Sequence, residues 1–294
     1  MIDSPSYCCG ERHGCVMLID LLLVIGALGA IYLILIMPRL GRNPDAKKMK
    51  GWLYAHRGIH SNKNGPPENS TPAFLKAVER RYGIELDVQL TKDGIPVVFH
   101  DYNLLRACGV DFKVADLTYK ELRRYRLFNS SEMIPTFAEV LAVVNGRVPL
   151  IIELKIPFDP KPLCRKVYSI LHNYKGFYSI ESFNPLGLIW YKKYKPNILR
   201  GQLSTDFVKE QVEGNKIQHF LLRNLLLNFM TRPDYIAYNH KYKDDFSFKI
   251  CKKLFRPISV AWTISSQEEL DNSIKDFDLF IFEKFIPQGV DLKK

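Results

Sequence analysis

From Trp52 to Phe282 short apolar runs alternate with stretches of helical spacing, and few folds accept that pattern. The runs are Trp52–Ala55, Ile84–Gln89, Val97–Phe99, Val148–Leu154, Tyr178–Ser182, Ile198–Gln202, Tyr235–Tyr238, Ile258–Trp262 and Leu279–Phe282. Helical spacing separates most of them, as in Phe137–Val144, Lys161–His172, Pro185–Tyr194 and Gln267–Phe277. Another helix begins at Thr71-Pro72, a cap residue followed by proline at the first helical position. About eight strand–helix repeats predict an α/β fold, a (β/α)8 TIM barrel.

One strand is surplus to eight. Ile84–Gln89 and Val97–Phe99 are joined by a segment too short for a parallel crossover, so the pair is expected to form a hairpin. With Asp93-Gly94 as a two-residue turn, Lys92 faces Ile95 and Asp87 faces His100. Period-two alternation puts Glu85 and Asp87 on one strand face, so the hairpin returns His100 to their level. Residues 101–135 have weaker periodicity and are read as a small insertion beside the rim.

Barrels of this kind present catalytic groups at the C-terminal ends of their strands. His56 ends the first strand, and Glu153 and Lys155 end the strand after the hairpin. Glu85, Asp87 and Glu153 are hard oxygen donors that suit Mg²⁺ or Ca²⁺ better than zinc. Arg57 offers paired planar donors to a phosphate, and Lys155 a point charge. The intrinsic imidazole pKa of about 6.5 suits His56 and His100 as an acid/base pair, one to accept and one to donate a proton. Glu68 has three uses open to it: holding Arg57, holding a histidine, or completing a metal shell. Taken singly, each of these residues has an ordinary structural use, in an ion pair or on a solvated strand face. Their joint occurrence at the strand ends of one barrel favours a site for metal-assisted hydrolysis of a phosphate ester.

The N-terminus adds a second constraint. Leu18–Met37 is apolar except for Asp20, and twenty helical residues span roughly 30 Å, the thickness of a bilayer core. Met37-Pro38-Arg39-Leu40 follows in place of a small-residue cleavage pattern, so an uncleaved anchor is favoured over a signal peptide. Arg39, Arg42, Lys47, Lys48 and Lys50 follow the span, whereas only Arg12 precedes it; the charge rule puts the C-terminal side in the cytoplasm. The expected organisation is an N-terminal tail (1–17), a transmembrane helix (18–37), a basic linker (38–50) and a catalytic barrel (51–294).

The net charge of +11 suits membrane headgroups or anionic substrates as well as nucleic acid, and no zinc-finger or RNP-type pattern supports the last. Cys108, Cys164 and Cys251 are far apart in sequence, an odd set that argues against a disulfide framework and fits a reducing compartment. Cys8, Cys9 and Cys15 leave open lipidation or a start at Met17. Lys216–Met230 is unusually apolar, and is read as a well-buried outer helix in preference to a membrane-docking element.

His56-Arg57-Gly58, Pro67-Glu68-Asn69-Ser70, Glu85-x-Asp87, Thr91-Lys92-Asp93-Gly94, His100-Asp101 and Glu153-Leu154-Lys155 occur in order. Glu181-Ser182-Phe183-Asn184-Pro185 and Ala261-Trp262-Thr263 extend the series. Together, over about residues 52 to 263, the chain resembles the glycerophosphodiester phosphodiesterase family, whose fold is a TIM barrel. The resemblance implies His56 and His100 as the acid/base pair, and Glu85, Asp87 and Glu153 as ligands of a divalent metal. It implies Arg57 and Lys155 at the phosphate, and Trp262 either in the glycerol pocket or in the core. The family's usual Thr-Asp pair on the last strand is replaced here by Phe280-Ile281-Phe282-Glu283-Lys284, a change expected to touch substrate contacts and not the acid/base set.

The expected function is hydrolysis of glycerophosphodiesters to sn-glycerol 3-phosphate and an alcohol. The alternatives are a lysophospholipase D or phospholipase C-like activity on acylated lipids, and a non-catalytic binding barrel. The expected partners are a small diester or lysolipid and the membrane.

Overall fold

The computed structural model describes residues 9–41 and 43–289, with side chains from residue 16 onward. Arg42 and the side chains of Cys8, Cys9, Arg12 and Cys15, which entered the sequence expectations, lie outside the described residues. A long helix α1 (Cys9–Ile36) leads into a 3₁₀ segment, Pro44–Met49. Then come β1 (Leu53–His56), α2 (Thr71–Glu79), β2 (Gly83–Leu90) and β3 (Pro96–Val98). Short helices α3 (Leu105–Cys108) and α4 (Tyr119–Leu122) precede α5 (Phe137–Val144). The remainder runs β4 (Leu150–Leu154), α6 (Pro160–Leu171), β5 (Tyr178–Ser182), α7 (Pro185–Tyr194), β6 (Arg200–Ser204), α8 (Lys216–Arg223), α9 (Asn228–Thr231), β7 (Tyr235–Asn239), α10 (Phe246–Phe255), β8 (Ile258–Ile264), α11 (Gln267–Ser273) and β9 (Leu279–Phe282).

The strands lie in the order β1-β9-β8-β7-β6-β5-β4-β2, and β1 pairs back onto β2, closing a parallel barrel of eight. Only β3 is antiparallel, as a hairpin on β2. Local chemistry starts the helices where strands end. Ser70, and not the expected Thr71, caps α2: its Oγ accepts from Ala73 N at 3.4 Å, which places Thr71 and Pro72 in the first turn; Asp159 accepts from Lys161 N at 3.0 Å and Asn184 from Leu186 N at 3.0 Å. Proline follows each cap in the first turn, where its missing N–H leaves nothing unpaired.

Alternation along the strands divides the core. Ile84, Leu86 and Val88 of β2 and Leu150, Ile152 and Leu154 of β4 pack outward against the helices. Ile151 of β4 joins Tyr54, Leu203, Tyr235, Val260, Leu279 and Ile281 inside the barrel. Glu85, Asp87 and Glu153 lie on that inner face and are buried. Met49 and Ala46 enter the same inner cluster, and the Tyr54 hydroxyl donates to Met49 O at 3.3 Å. The 3₁₀ segment therefore plugs the end where strands begin, and the opposite end stays open.

The hairpin differs from the expected register. Val88 pairs with Val98 and Gln89 with Val97, one residue away from the register that sets Asp87 against His100. The turn holds three residues: Gly94 N donates to Thr91 O at 2.9 Å, Thr91 N to Ile95 O at 3.1 Å, and Gly94 takes φ +72°. Thr91 Oγ1 accepts from Ile95 N at 3.0 Å and donates to Asp93 at 2.6 Å, which stabilises this wider turn. His100 still reaches the site, because it lies beyond β3 in a loop that strand alternation does not govern. The sixth strand also begins later than expected, since Ile198 N still bonds Lys195 O at 3.1 Å in the turn after α7.

Residues 101–135 form the expected insertion, with a small core of their own around Leu104, Ala107, Val114, Leu122, Leu127 and Ile134. Lys216–Met230 is not one buried helix. It breaks into α8 and α9 at Leu225, which takes φ +56°, and Ile217 and Phe220 face solvent. The apolar residues are split between a buried ridge (Leu222, Leu225) and an exposed one.

Helix α1 joins the barrel only at its C-terminal end. Ile36 is fully buried, and its carbonyl accepts from Asn228 Nδ2 at 3.0 Å and from Cys251 Sγ at 3.5 Å. Beyond it, Arg39 pairs with Asp234 at 3.1 Å and Asn43 Nδ2 donates to Asn197 O at 3.0 Å. The helix is long and apolar enough between Val16 and Ile36 to cross a membrane.

The interior floor tolerates no added volume at Gly201. A Cβ there would lie 2.0 Å from the Tyr235 ring, and Tyr235 is tied to Ser179 Oγ at 3.1 Å. We expect Gly201→Ala to lower stability by about 1–3 kcal/mol, read as a shifted denaturant midpoint. An unchanged midpoint would contradict this packing.

Candidate active site

The register of three neighbouring strands gathers the acidic groups. Asp87 pairs with Glu153, Glu153 with Glu181, and His56 with Glu85. Oxygens of Glu85, Asp87 and Glu153 all lie within 4.8 Å of one another. Three buried carboxylates so close repel strongly unless cations intervene. Lys155 Nζ sits between two of them, 3.0 Å from Asp87 Oδ1 and 2.8 Å from Glu153 Oε1. Arg57 Nε lies 3.4 Å from Asp87 Oδ2, and Asn69 Nδ2 donates to that oxygen at 2.8 Å.

The compensation is incomplete. Burial first, then the charges of Asp87 and Glu153, push the Glu85 carboxyl well up. Burial also pushes Asp87 up, but Lys155, His100 and Arg57 outweigh it and hold Asp87 well below the usual carboxylate range. Burial depresses the Lys155 ammonium, and the carboxylates of Asp87 and Glu153 more than reverse that. Asp87 Oδ1 lacks a well-directed hydrogen bond. This surplus of buried oxygen charge fits a divalent cation held by Glu85, Asp87 and Glu153.

His56 and Arg57 are delivered by a sharp bend after β1. Arg57 takes φ +55° and its N–H donates to Glu85 O at 2.9 Å and to Glu85 Oε2 at 3.2 Å. Gly58 follows at φ +81°, where a Cβ would meet the Ala73 carbonyl carbon at 2.8 Å; only glycine lets α2 approach so closely. Burial, and next the charge of Arg57, lower His56 to about 4, so its ring is neutral at pH 7. Its Nδ1 lies 2.8 Å from Glu283 Oε2, which assigns the ring proton to Nδ1 and leaves Nε2 free, 3.8 Å from Glu85 Oε2.

His100 has the same arrangement. Its Nδ1 lies 2.5 Å from Asp101 Oδ1, and Arg106 Nε donates to Asp101 Oδ2 at 2.7 Å. Although burial opposes it, the bonds from His100 and Arg106 hold Asp101 well below the usual range. Arg106 also donates to Glu68 at 2.6 and 3.0 Å, and Arg57 Nη1 donates to Glu68 at 2.7 Å. Glu68 thus bridges the bend after β1 to the insertion. It stands behind Arg57, outside the lining of the cavity, and Arg57, Arg106 and Asn62 bond its oxygens, the first of its expected uses. Those partners, led by Arg106, overcome burial and lower it to about 2.

His56, Arg57, Glu85, His100, Glu153, Lys155 and Trp262 line one inner cavity of about 180 Å³. An adjoining groove of about 940 Å³ shares His100, Glu153, Lys155, Phe183 and Trp262, and leads outward past Phe207 and Leu222. Trp262 lines both cavities and packs edge-on against Phe183 at 5.5 Å.

Three residues in or behind the cavity escaped the sequence reading. Glu283 belongs to the departure expected to spare the acid/base set, yet it holds His56. The signal available was a carboxylate at the end of the last strand. Arg106 looked like one more surface charge of the insertion. Glu181, quoted only as part of a motif, is buried in the inner cavity with Oε2 unpartnered; burial, then the charge of Glu153, favours its protonated form.

A family model described as the glycerophosphoryl diester phosphodiesterase family matches residues 56–259. A glycerophosphodiester phosphodiesterase of Caldanaerobacter subterraneus subsp. tengcongensis is 34% identical over 245 residues, covering 77% of this chain and 91% of the relative. Another from Bacillus altitudinis is 34% identical over 170 residues, covering 54% of this chain and 68% of the relative. Among solved structures, a phosphodiesterase of Oleispira antarctica in complex with the product sn-glycerol-3-phosphate has a TM-score of 0.65 at 22% identity, over 81% of this chain and 94% of that one. At such identity the likeness speaks for the fold.

Lys155 is the internal counter-ion of the acidic triad. We expect Lys155→Met to lose about 3–5 kcal/mol of stability in chelator, with the loss partly reversed by millimolar Mg²⁺ or Ca²⁺ in a thermal melt. No stabilisation by cation in either the variant or the unsubstituted chain would contradict the triad as a cation site.

Proposed function

The chain belongs to the glycerophosphoryl diester phosphodiesterase family, and from that membership we propose that it hydrolyses glycerophosphodiesters to sn-glycerol 3-phosphate and an alcohol, assisted by a divalent cation. The observation that carries this reading is one cavity lined by two imidazoles, two carboxylates of the triad and two cationic side chains. Arg57 and Lys155 bind and orient the phosphate diester. His56 Nε2, free and neutral, takes the proton of the attacking hydroxyl, from water or from a neighbouring substrate hydroxyl. His100 gives a proton to the leaving alkoxide as the old P–O bond breaks. A cation held by Glu85, Asp87 and Glu153 would neutralise phosphoryl oxygen charge and acidify a bound hydroxyl. Glu283 and Asp101 are positioning residues, each fixing a ring through Nδ1.

We read α1 as a membrane anchor with the barrel on the cytoplasmic side. Its support is the apolar stretch Val16–Ile36 and the basic flank of Arg39, Lys47, Lys48 and Lys50. The apolar walls of the outer groove (Phe183, Phe207, Leu222) favour a second reading, in which the diester still carries an acyl chain, as for a lysophospholipase D or a phospholipase C-like enzyme.

The test is release of glycerol 3-phosphate from glycerophosphocholine and glycerophosphoglycerol. We expect His56→Ala and His100→Ala each to lower kcat about 10²–10⁴-fold, and EDTA to abolish turnover. Activity unaffected by chelation, or unchanged in His56→Ala, would refute the mechanism. Glu283→Gln removes a charge that favours the imidazolium. The His56 pKa should therefore fall, shifting the acid limb of kcat/KM to lower pH with about a hundredfold lower rate. An unmoved limb would assign Glu283 a structural role only.

A further inference from the structure

Helix α1 and α10 run side by side in the same direction. The Tyr32 hydroxyl donates to Ser247 Oγ at 2.8 Å at the start of α10, and Ile36 O accepts from Cys251 further along it. Arg39 then reaches Pro196 O at 3.2 Å and Asp234, both at the plugged end of the barrel. Because α10 follows β7, its start lies at the catalytic end. The part of α1 before Tyr32 therefore projects beyond the catalytic rim, and not beyond the plug. From Val16 to Ile31 every side chain of this part is exposed, over roughly 24 Å of helix.

The rim on that side is apolar. Among the described residues outside α1, the four most exposed large apolar side chains are Phe158 at 85%, Ile217 at 72%, and Val208 and Phe246 at 71% each. All four lie in connections that follow β4, β6 or β7, so all are at the catalytic end. Phe220 and Leu186, after β6 and β5, join them. These four strands are consecutive in the barrel, so the side chains form one arc. The arc begins at α1 itself, where the Tyr32 and Phe246 rings lie 6.2 Å apart, and the groove past Phe207 and Leu222 opens within it.

We propose that this arc is a lipid-docking surface: the bilayer that holds α1 covers the catalytic rim, and the diester enters the groove from the membrane surface and not from bulk water. The inference rests on α1 spanning a bilayer. Length supports the occupant. The free apolar helix of roughly 24 Å is shorter than a hydrocarbon core of roughly 30 Å, so spanning draws the rim into the interface. An exposed apolar arc continuous with a membrane segment is then buried where it would otherwise face water.

The experiment uses the full chain in vesicles of phosphatidylcholine and phosphatidylglycerol at 3:1. A photoreactive residue replaces Phe158, Ile217 or Phe220 in the arc, or Lys175 or the exposed Leu254 at the plugged end. Lipid adducts, identified by mass spectrometry, are expected at the three arc positions, at least fivefold above the two controls. Adducts at the controls only, equal labelling at both ends, labelling at neither end, or crosslinks between two copies of the chain would overturn the proposal. Failure of the chain to float with vesicles would also overturn it, by removing the anchor. Failure of the hydrolase reading would appear separately, as no product from any diester with the adduct pattern intact.

Discussion

The structure turns on the electrostatic problem posed by three carboxylates inside a barrel. Glu85, Asp87 and Glu153 share the mouth with only Lys155 and, less directly, Arg57 to oppose them. Buried carboxylates at this spacing push one another toward protonation unless positive charge is supplied. The site's other parts answer that demand. The bend at Arg57 brings a guanidinium in, Glu68 and Arg106 tie it to the insertion, and the triad retains the capacity for one more cation.

The two histidines solve a second problem, that of direction. Each imidazole is held at Nδ1 by a carboxylate, which leaves Nε2 as the nitrogen without that bond. Their surroundings differ. His56 is buried beside the Arg57 charge and is kept neutral, which suits a base. His100 is more open, and Arg106 keeps the Asp101 behind it ionised. The same ring thus meets two environments, one closed and one bordering the groove.

The barrel is also asymmetric along its axis. Met49 and Ala46 close one end, and the acidic triad and both histidines face the other. Helix α1 crosses from the open end to the plugged end along α10, and its last turn is fixed by Asn228 and Cys251. The free part of α1, the groove and the open end of the barrel therefore belong to one side of the molecule, although α1 and the rim loops after β6 lie far apart in the chain.

Much of this was legible in the sequence, because it rests on local rules. Strand alternation, a helix start at Thr71-Pro72, and a hairpin too short for a crossover predict eight parallel strands with one antiparallel guest, and this is the barrel observed. The grouping of Glu85, Asp87 and Glu153 follows from period two and from strand ends, since a sheet carries alternation over many residues unaltered. What escaped depends on distances between segments that no local pattern encodes. The hairpin slipped by one residue because the Thr91 side chain stabilises a three-residue turn. Glu283 became the partner of His56 only when β9 closed against β1, which sets residues more than two hundred positions apart side by side. The side from which α1 leaves the barrel was decided by its packing on α10, and hydropathy is silent there: it counts apolar residues along a helix and carries no information on the direction in which the rest of the molecule receives it.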